Sequence, residues 1–385
     1  HSEAPPLPYS LSDLQVDAGR RLGLRAQAVL DACQGLYGTH RLLTYPRSDC
    51  AYLPEAQHPQ AGSVLAAVAK QVPALVSAIH AADVARRSKA WNDAKVTAHH
   101  AIVPTANAAD PSLELAPAER SVYELVARRY LAQFYGALEW VETRVELDVA
   151  GDRLAARGRR STAAGWKVLY ALGADASDTD ADTPTGQADR DGDGNPENAA
   201  PLPALPPGLP VRVERAAVQG RCTKPPKPFT DASLIAAMCG VAKFVSAREV
   251  KKILTETDGI GTPATRAGII ETLFERQYVE RVKKTIVSTE TGRALIRSLP
   301  EVATTPDMTA VWEAAMRTIA EGRQSSDAFL ACVRAQLEVL VAQGRALGRV
   351  AVPGAPAPAA PMPRAPSRTD SRPRPKPPRR KKEAS

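Results

Sequence analysis

The sequence has no apolar run approaching the roughly 18 residues a membrane-spanning helix needs, so no helical span is predicted among its 385 residues. Its first residues are polar and rich in proline, which is not the pattern of a secretory signal. Nor is there a C-x-x-C pair. Cys33, Cys50, Cys222, Cys239 and Cys332 are scattered, which points away from a zinc ribbon or a disulfide framework and towards reduced thiols. A Walker-type glycine run is also missing, so a phosphotransferase would lack its nucleotide cradle. One apparent metal motif fails as well. Asp189-Arg190-Asp191-Gly192-Asp193-Gly194 imitates the start of a calcium loop, but Ala200 stands at the twelfth position, where a bidentate glutamate is required.

A hydrophobic fraction of 44% is ordinary for a globular protein, and a chain of this length can hold about two or three domains. The net charge of +8 is unevenly spread. From residue 353 onward nine Lys or Arg face only Asp370 and Glu383, in a Pro-rich context that cannot bury enough apolar surface to fold. Such a tail attracts phosphates without regard to sequence, or is simply solvated. Residues 174–199 are the opposite, with eight acids against Arg190.

Residues 11–38 read as two helices broken at Leu22-Gly23, a further apolar helix spans about 63–79, and another spans 117–134. From Val141 the pattern becomes strict alternation, with Val141, Thr143, Val145, Leu147 and Val149 on one face of a half-buried strand and a turn at Gly151-Asp152. Further strand-like stretches lie at 166–172 and 211–218, with the acidic segment between them as a solvated loop. Beyond Thr230 helical signals return. Ser246 can cap a helix through Val250 and Ile253, Gly259 and Gly261 form a tight turn, and a helix spans 264–274. A basic hairpin around Lys283-Lys284 follows, which together suggests a winged-helix-like module. Two last helices span about 308–320 and 327–347, the second carrying Val333, Leu337, Leu340 and Val341 as a core-facing stripe. The expected fold is therefore α+β and multidomain. A helical unit over 1–135 bears Tyr45, a β-rich arch spans 136–228, a winged-helix-like helical unit spans 229–348, and a disordered basic tail spans 349–385.

The segment Leu43-Thr44-Tyr45-Pro46-Arg47-Ser48-Asp49-Cys50-Ala51-Tyr52-Leu53-Pro54 carries the chemistry. A phenolate can displace a nucleotide hydroxyl and keep the phosphate in a covalent ester, and a guanidinium two residues on can hold that phosphate bidentately. A tyrosine beside a proline turn is otherwise a packing residue. Thr-Tyr-Pro-Arg-Ser-Asp with Tyr-Leu-Pro after it resembles the active-site segment of type IA DNA topoisomerases, most closely the bacterial topoisomerase III group. Further blocks resemble that family in the same order. They are Pro6-Leu7-Pro8-Tyr9-Ser10-Leu11-Ser12-Asp13-Leu14-Gln15, Ser88-Lys89-Ala90-Trp91-Asn92-Asp93, and Ala98-His99-His100-Ala101-Ile102-Val103-Pro104-Thr105. Thr223-Lys224-Pro225-Pro226-Lys227-Pro228-Phe229-Thr230 and Gly259-Ile260-Gly261-Thr262-Pro263-Ala264-Thr265-Arg266 complete them.

The resemblance implies an isomerase that cuts one DNA strand through a 5′-phosphotyrosine, passes a strand and reseals. Tyr45 would be the nucleophile, Arg47 would neutralise charge on the phosphate, and His99 would lie near the reacting phosphate with His100 supporting it. Lys89 would meet the DNA backbone with Arg86 and Arg87, while Trp91 stacks on an unpaired base or is buried. Gly259, Gly261 and Thr262 would offer N–H groups and a hydroxyl to a phosphate, with Arg266 as a further phosphate contact. Pro263 departs from relatives that carry Glu there, and suits a first helical turn. Mg²⁺ is implied by the family, but its acidic ligands belong to the Toprim domain that normally precedes these motifs, and they are absent from this chain. With His1 in place of Met, the expectation is a C-terminal portion that binds single-stranded DNA and does not relax supercoils alone. The implied setting is a monomer in the cytoplasm at the nucleoid, with DNA and a helicase as partners and no membrane. The alternative is a non-catalytic single-stranded DNA-binding remnant.

Overall fold

A computed structural model of the chain describes residues 1–107, 114–171, 202–203, 205–215, 217–218, 220, 222–223, 225–245, 248–255 and 259–346. The acidic segment 174–199, the calcium-like stretch, the basic tail and the proposed cap Ser246 lie outside them. After a short strand β1 (Ser2–Glu3), Ser10 starts helix α1 (Leu11–Leu22). Its backbone is extended and its hydroxyl accepts from the Asp13 amide at 3.2 Å, satisfying one of the free donors of the first turn. Gly23 ends the helix at φ 67°, a left-handed conformation that costs a β-carbon dearly. Helix α2 (Ala26–Gly38) follows.

The helix expected over 63–79 is broken in two, α3 (Ala61–Gln71) and α4 (Val76–His80), because Val72 leaves helical geometry and Pro73 has no amide to continue the ladder. Helix α5 (Pro117–Leu131) packs against α2 and α1. Tyr9, Leu11, Leu14, Val29, Leu36, Leu43, Ile102, Val122 and Val126 form the core between them. Leu53, Leu65, Trp91, Tyr130, Phe134, Trp166 and Leu169 form a second core beside it.

In strand β2 (Leu138–Val149) the expected alternation holds from Thr143 to Val149, whereas Val141, expected on the same half-buried face, is 47% exposed and lies just after the register shift at Glu139 and Trp140. Its partner is β3 (Asp152–Ala163), which the sequence pattern does not reveal, since β3 is rich in Arg and Ala and poor in β-branched residues. Pairing supplies what propensity lacks. Glu142 faces Arg159 and Asp148 faces Arg153, and Ala150 and Gly151 turn the chain at φ 53° and 93°, the two-residue geometry that matches strand twist. β1 adds to β2 in an antiparallel sheet of order β1-β2-β3. The strand expected at 166–172 is instead a helical turn ending in α6 (Val168–Ala171), with Trp166 and Leu169 buried in the helical core and Leu172 outside the described residues. The stretch 211–218 holds no strand among its described residues.

Thr230 caps helix α7 (Asp231–Cys239), and α8 (Arg248–Thr255) and α9 (Pro263–Glu275) follow, with Pro263 at the first helical position. The antiparallel hairpin β4 (Val279–Val282) and β5 (Thr285–Ser288) turns at Lys283, φ 58°. Arg281 anchors it, pairing with Asp231 and lying 4.1 Å over the Phe274 ring. Helices α10 (Glu290–Ser298), α11 (Asp307–Ala320) and α12 (Ser326–Ala346) complete the chain. The core-facing stripe expected on α12 is corrected here. Val333 and Leu340 are half-buried against α11, but Leu337 and Val341 are about half exposed, and no residue of α12 is buried. The reason is that α11 is the neighbour this helix packs on, and one neighbour covers one side.

The cysteines divide by burial. Burial pushes the Cys33 thiol up to about 12, and Cys50 is buried, while Cys222 and Cys332 are exposed. In a thiol-reagent titration of the native chain at pH 8, Cys222 and Cys332 are expected to react at once, and Cys33 only on unfolding. Rapid labelling of Cys33, read by peptide mapping, would contradict this packing.

Candidate active site

Four separated segments are knitted by hydrogen bonds, most of them between backbone groups, around Tyr45. Thr44 donates its amide to the Val103 carbonyl at 3.0 Å, and its hydroxyl bridges the Ala101 carbonyl and the Val103 amide, each at 3.0 Å. On the other side of residues 101–103, Ile102 donates to the Tyr9 carbonyl at 2.8 Å and Ala101 to the Tyr52 carbonyl at 2.9 Å. Leu11 donates to the Ser48 carbonyl at 2.9 Å, and Leu53 to the Ala90 carbonyl at 2.8 Å. Four of the blocks that resembled a family in order along the chain, those holding Tyr9, Tyr45, Ala90 and Ile102, are therefore adjacent in space.

The Tyr9 side chain locks this arrangement from beneath. Its hydroxyl donates to Asp17, which also pairs with Arg21 at 2.7 Å and Arg129 at 3.5 Å, and the Arg129 guanidinium lies 4.2 Å over the Tyr9 ring. Burial, more than the neighbouring Asp17 carboxylate, drives the Tyr9 hydroxyl well above the ordinary tyrosine range, so it stays protonated as the donor this cluster needs.

Tyr45 is different. It is half-buried, and its ring lies against His99, centroids 4.1 Å apart and tilted by 33°. Neither the Tyr45 hydroxyl nor the His99 ring nitrogens hydrogen-bond to any described residue, which leaves both polar ends for a ligand. Arg47 sits two residues on, in the turn that follows Pro46. It is exposed and makes no hydrogen bond or ion pair among the described residues, so its five donors are open too. Asp49 and Thr97 close the rim through a 3.1 Å hydrogen bond, and Lys95 reaches the Tyr52 hydroxyl at 3.2 Å. His100 turns aside, its Nδ1 2.9 Å from the Ala101 carbonyl.

Two expected DNA contacts are corrected. Trp91 is only 7% exposed, edge-on to His58 at 4.9 Å and packed with Tyr130 and Phe134, so it has no free face for a base. Arg266 is 2% exposed. Its guanidinium donates to the Ile260 carbonyl at 3.0 Å, the Gly261 carbonyl at 2.9 Å and the Ser12 hydroxyl at 2.7 Å, which makes it a clamp between the glycine turn and α1. Lys89, with Arg86 and Arg87, is exposed, and Arg87 approaches Glu55 at 3.7 Å.

Gly259 and Gly261 hold φ 79° and 69°, and a β-carbon at Gly259 would meet the Met238 carbonyl oxygen at 2.1 Å. The Thr262 amide is already used, donating to the Thr265 hydroxyl at 2.8 Å. No described hydrogen bond or ring contact joins this turn to Tyr45. Sequence reasoning passed over Tyr37, which meets the Tyr45 ring edge-on at 5.9 Å. Its place on the last turn of α2 carries no signal until the rings are seen together.

The described residues contain no group of three or more His, Cys, Asp or Glu that could hold a metal ion, so they do not fit the Mg²⁺ that the resemblance implies. They also contain no helix long and apolar enough to cross a membrane. A family model described as DNA topoisomerase matches residues 1–331. The DNA topoisomerase 3 of Vibrio cholerae is 47% identical over 341 residues, covering 89% of this chain and 50% of that protein. The DNA topoisomerase 3 of Bacillus subtilis is 36% identical, covering 87% and 44%. Among solved structures, full-length topoisomerase I from Thermotoga maritima shares the fold with a TM-score of 0.56 at 18% identity, over 88% of this chain and 50% of that one. The chain thus spans about half the length of the relatives it matches, and with its residues 1–331 under one family model it belongs to the type IA DNA topoisomerases.

Proposed function

We propose that this chain supplies the nucleophile of a type IA topoisomerase of the topoisomerase III kind, acting on single-stranded DNA. The observation that carries this reading is the open polar triad at the seam of these segments: the Tyr45 hydroxyl, the His99 ring against it, and the Arg47 guanidinium, unpaired among the described residues. The Tyr45 oxygen attacks phosphorus, a bond to the phosphate forms, and the bond from phosphorus to the 3′ oxygen breaks. The phenol proton leaves and the 3′ oxygen gains one, so charge and atoms balance, and the reverse step reseals the strand. Arg47 meets the nonbridging oxygens as charge builds on them, without itself changing protonation. His99 orients the phenol ring and can donate to the same phosphate. Lys89 and the turn at Gly259, Gly261 and Thr262 attract the backbone on either side. Mg²⁺ dependence belongs to residues other than those described, and no step here runs through the ion.

The test pairs this chain with the half of the Vibrio cholerae relative that it does not match, supplied as a separate polypeptide with Mg²⁺. A 3′-labelled single-stranded oligonucleotide is added and the reaction stopped with detergent. The label is expected to move with this chain, and the modified tryptic peptide to be residues 42–47, which hold Tyr45 as their one hydroxyl-bearing aromatic. An adduct mapped elsewhere, or oligonucleotide binding with no adduct under any condition, would replace the enzyme with a DNA-binding remnant.

A further inference from the structure

Resting on that reading, we propose that Tyr37 is a stacking platform for the base of a nucleotide beside the scissile phosphate. On the last turn of α2, Cys33 and Leu36 are fully buried, whereas Tyr37 points outward and is 44% exposed. Its ring is perpendicular to that of Tyr45, at 90° and 5.9 Å between centroids, while His99 lies against Tyr45. The half-buried Tyr45 ring thus touches two others, Tyr37 edge-on and His99 tilted against it. The Tyr37 hydroxyl makes no hydrogen bond among the described residues, and the side chain belongs to none of the buried clusters, so neither packing nor a polar partner accounts for it. A large aromatic ring left in water beside a nucleophile has one obvious use in single-stranded DNA recognition. Each unpaired base offers a π-face, and stacking one base on an aromatic side chain contributes roughly 1–3 kcal/mol whatever the base. Trp91, which the sequence offered for this role, is sealed in the core; Tyr37 is the exposed ring at the site.

The ligand is a nucleobase, and the contact is dispersion and stacking rather than hydrogen-bond readout, so it is indifferent to sequence. The whole chain is titrated into fluorescein-labelled dT12 and anisotropy recorded. Tyr37→Leu is expected to weaken binding about tenfold, within the range for one lost stack, while Tyr37→Phe and Tyr37→Trp stay within about twofold of the parent. Melting temperature should not change, because the side chain lies outside the core.

A second arm places a single abasic residue at successive positions of the oligonucleotide. One position should cost the parent about tenfold and cost Tyr37→Leu nothing further. Parent-like binding by Tyr37→Leu, or equal abasic losses in both proteins, overturns the platform. If the oligonucleotide still forms an adduct on residues 42–47 in that case, the proposed function stands and only this inference falls. Failure of the parent to bind dT12 at all overturns both.

Discussion

Arg47→Ala is expected to cut adduct formation by roughly 100- to 1,000-fold, with Tyr45→Phe setting the zero of the same assay. The size follows from where the guanidinium stands. An exposed side chain with no partner among the described residues contributes little to their folding that its loss would remove, so the effect should fall on the step in which phosphate charge develops. Melting temperature and oligonucleotide affinity should therefore change little. Arg47→Lys should recover part of the rate, because an ammonium keeps the charge but not the planar fork that meets two phosphate oxygens together. If Arg47→Ala instead formed adduct at the parental rate, Tyr45 would have to act without its neighbour, and the triad would be a coincidence of loop geometry.

The second large effect is on stability. Arg266→Ala should cost about 3 kcal/mol or more, since it leaves the Ser12 hydroxyl and the Ile260 and Gly261 carbonyls short of a donor and opens a void in a site that is 2% exposed. Thermal or urea unfolding reads this directly. A phosphate-binding arginine would behave in the opposite manner, with an unaltered melt, weaker DNA binding and a shallower dependence on salt. An Arg266→Ala chain that melts with the parent but loses DNA affinity would return the residue to the nucleic-acid surface. Arg266→Lys should fall between, as one ammonium cannot serve three acceptors spread over two segments.

These two arginines show what was legible in the sequence and what was not. Residue type gives the chemistry a side chain can do, and both are equally able to bind phosphate; burial decides which one is free, and burial is set by packing between segments far apart in sequence. The same limit explains Trp91, whose neighbours Lys89 and Asp93 suggest a surface while its ring sits among Tyr130 and Phe134.

Local signals did better. Gly23 and Pro263 mark helix ends by mechanisms that act within one turn, and each stands where that mechanism puts it. The alternation of β2 was readable because every second residue from Thr143 is half-buried, whereas β3 is held by its partner and its charges, and residues 166–171 look like a strand only until the aromatic-lined core is assembled. On α12 the apolar spacing correctly marked one side of a helix, but spacing does not say whether anything lies opposite. Tyr37 escaped for the reverse reason, being one outward residue on a helix whose pattern is set by those pointing in.

The reach of Arg266 to Ser12 has a mechanical consequence. Ser12 lies in the first turn of α1, next to Leu11, whose amide holds Ser48, and Ser48 is three residues from Tyr45. Glycine turn, arginine, helix and tyrosine loop are thus coupled in series, across 254 residues of chain at the first link. A load on residues 259–261 therefore has a path of direct contacts to the turn that carries Tyr45. Removing the Arg266 guanidinium would cut that path and loosen the fold in the same stroke.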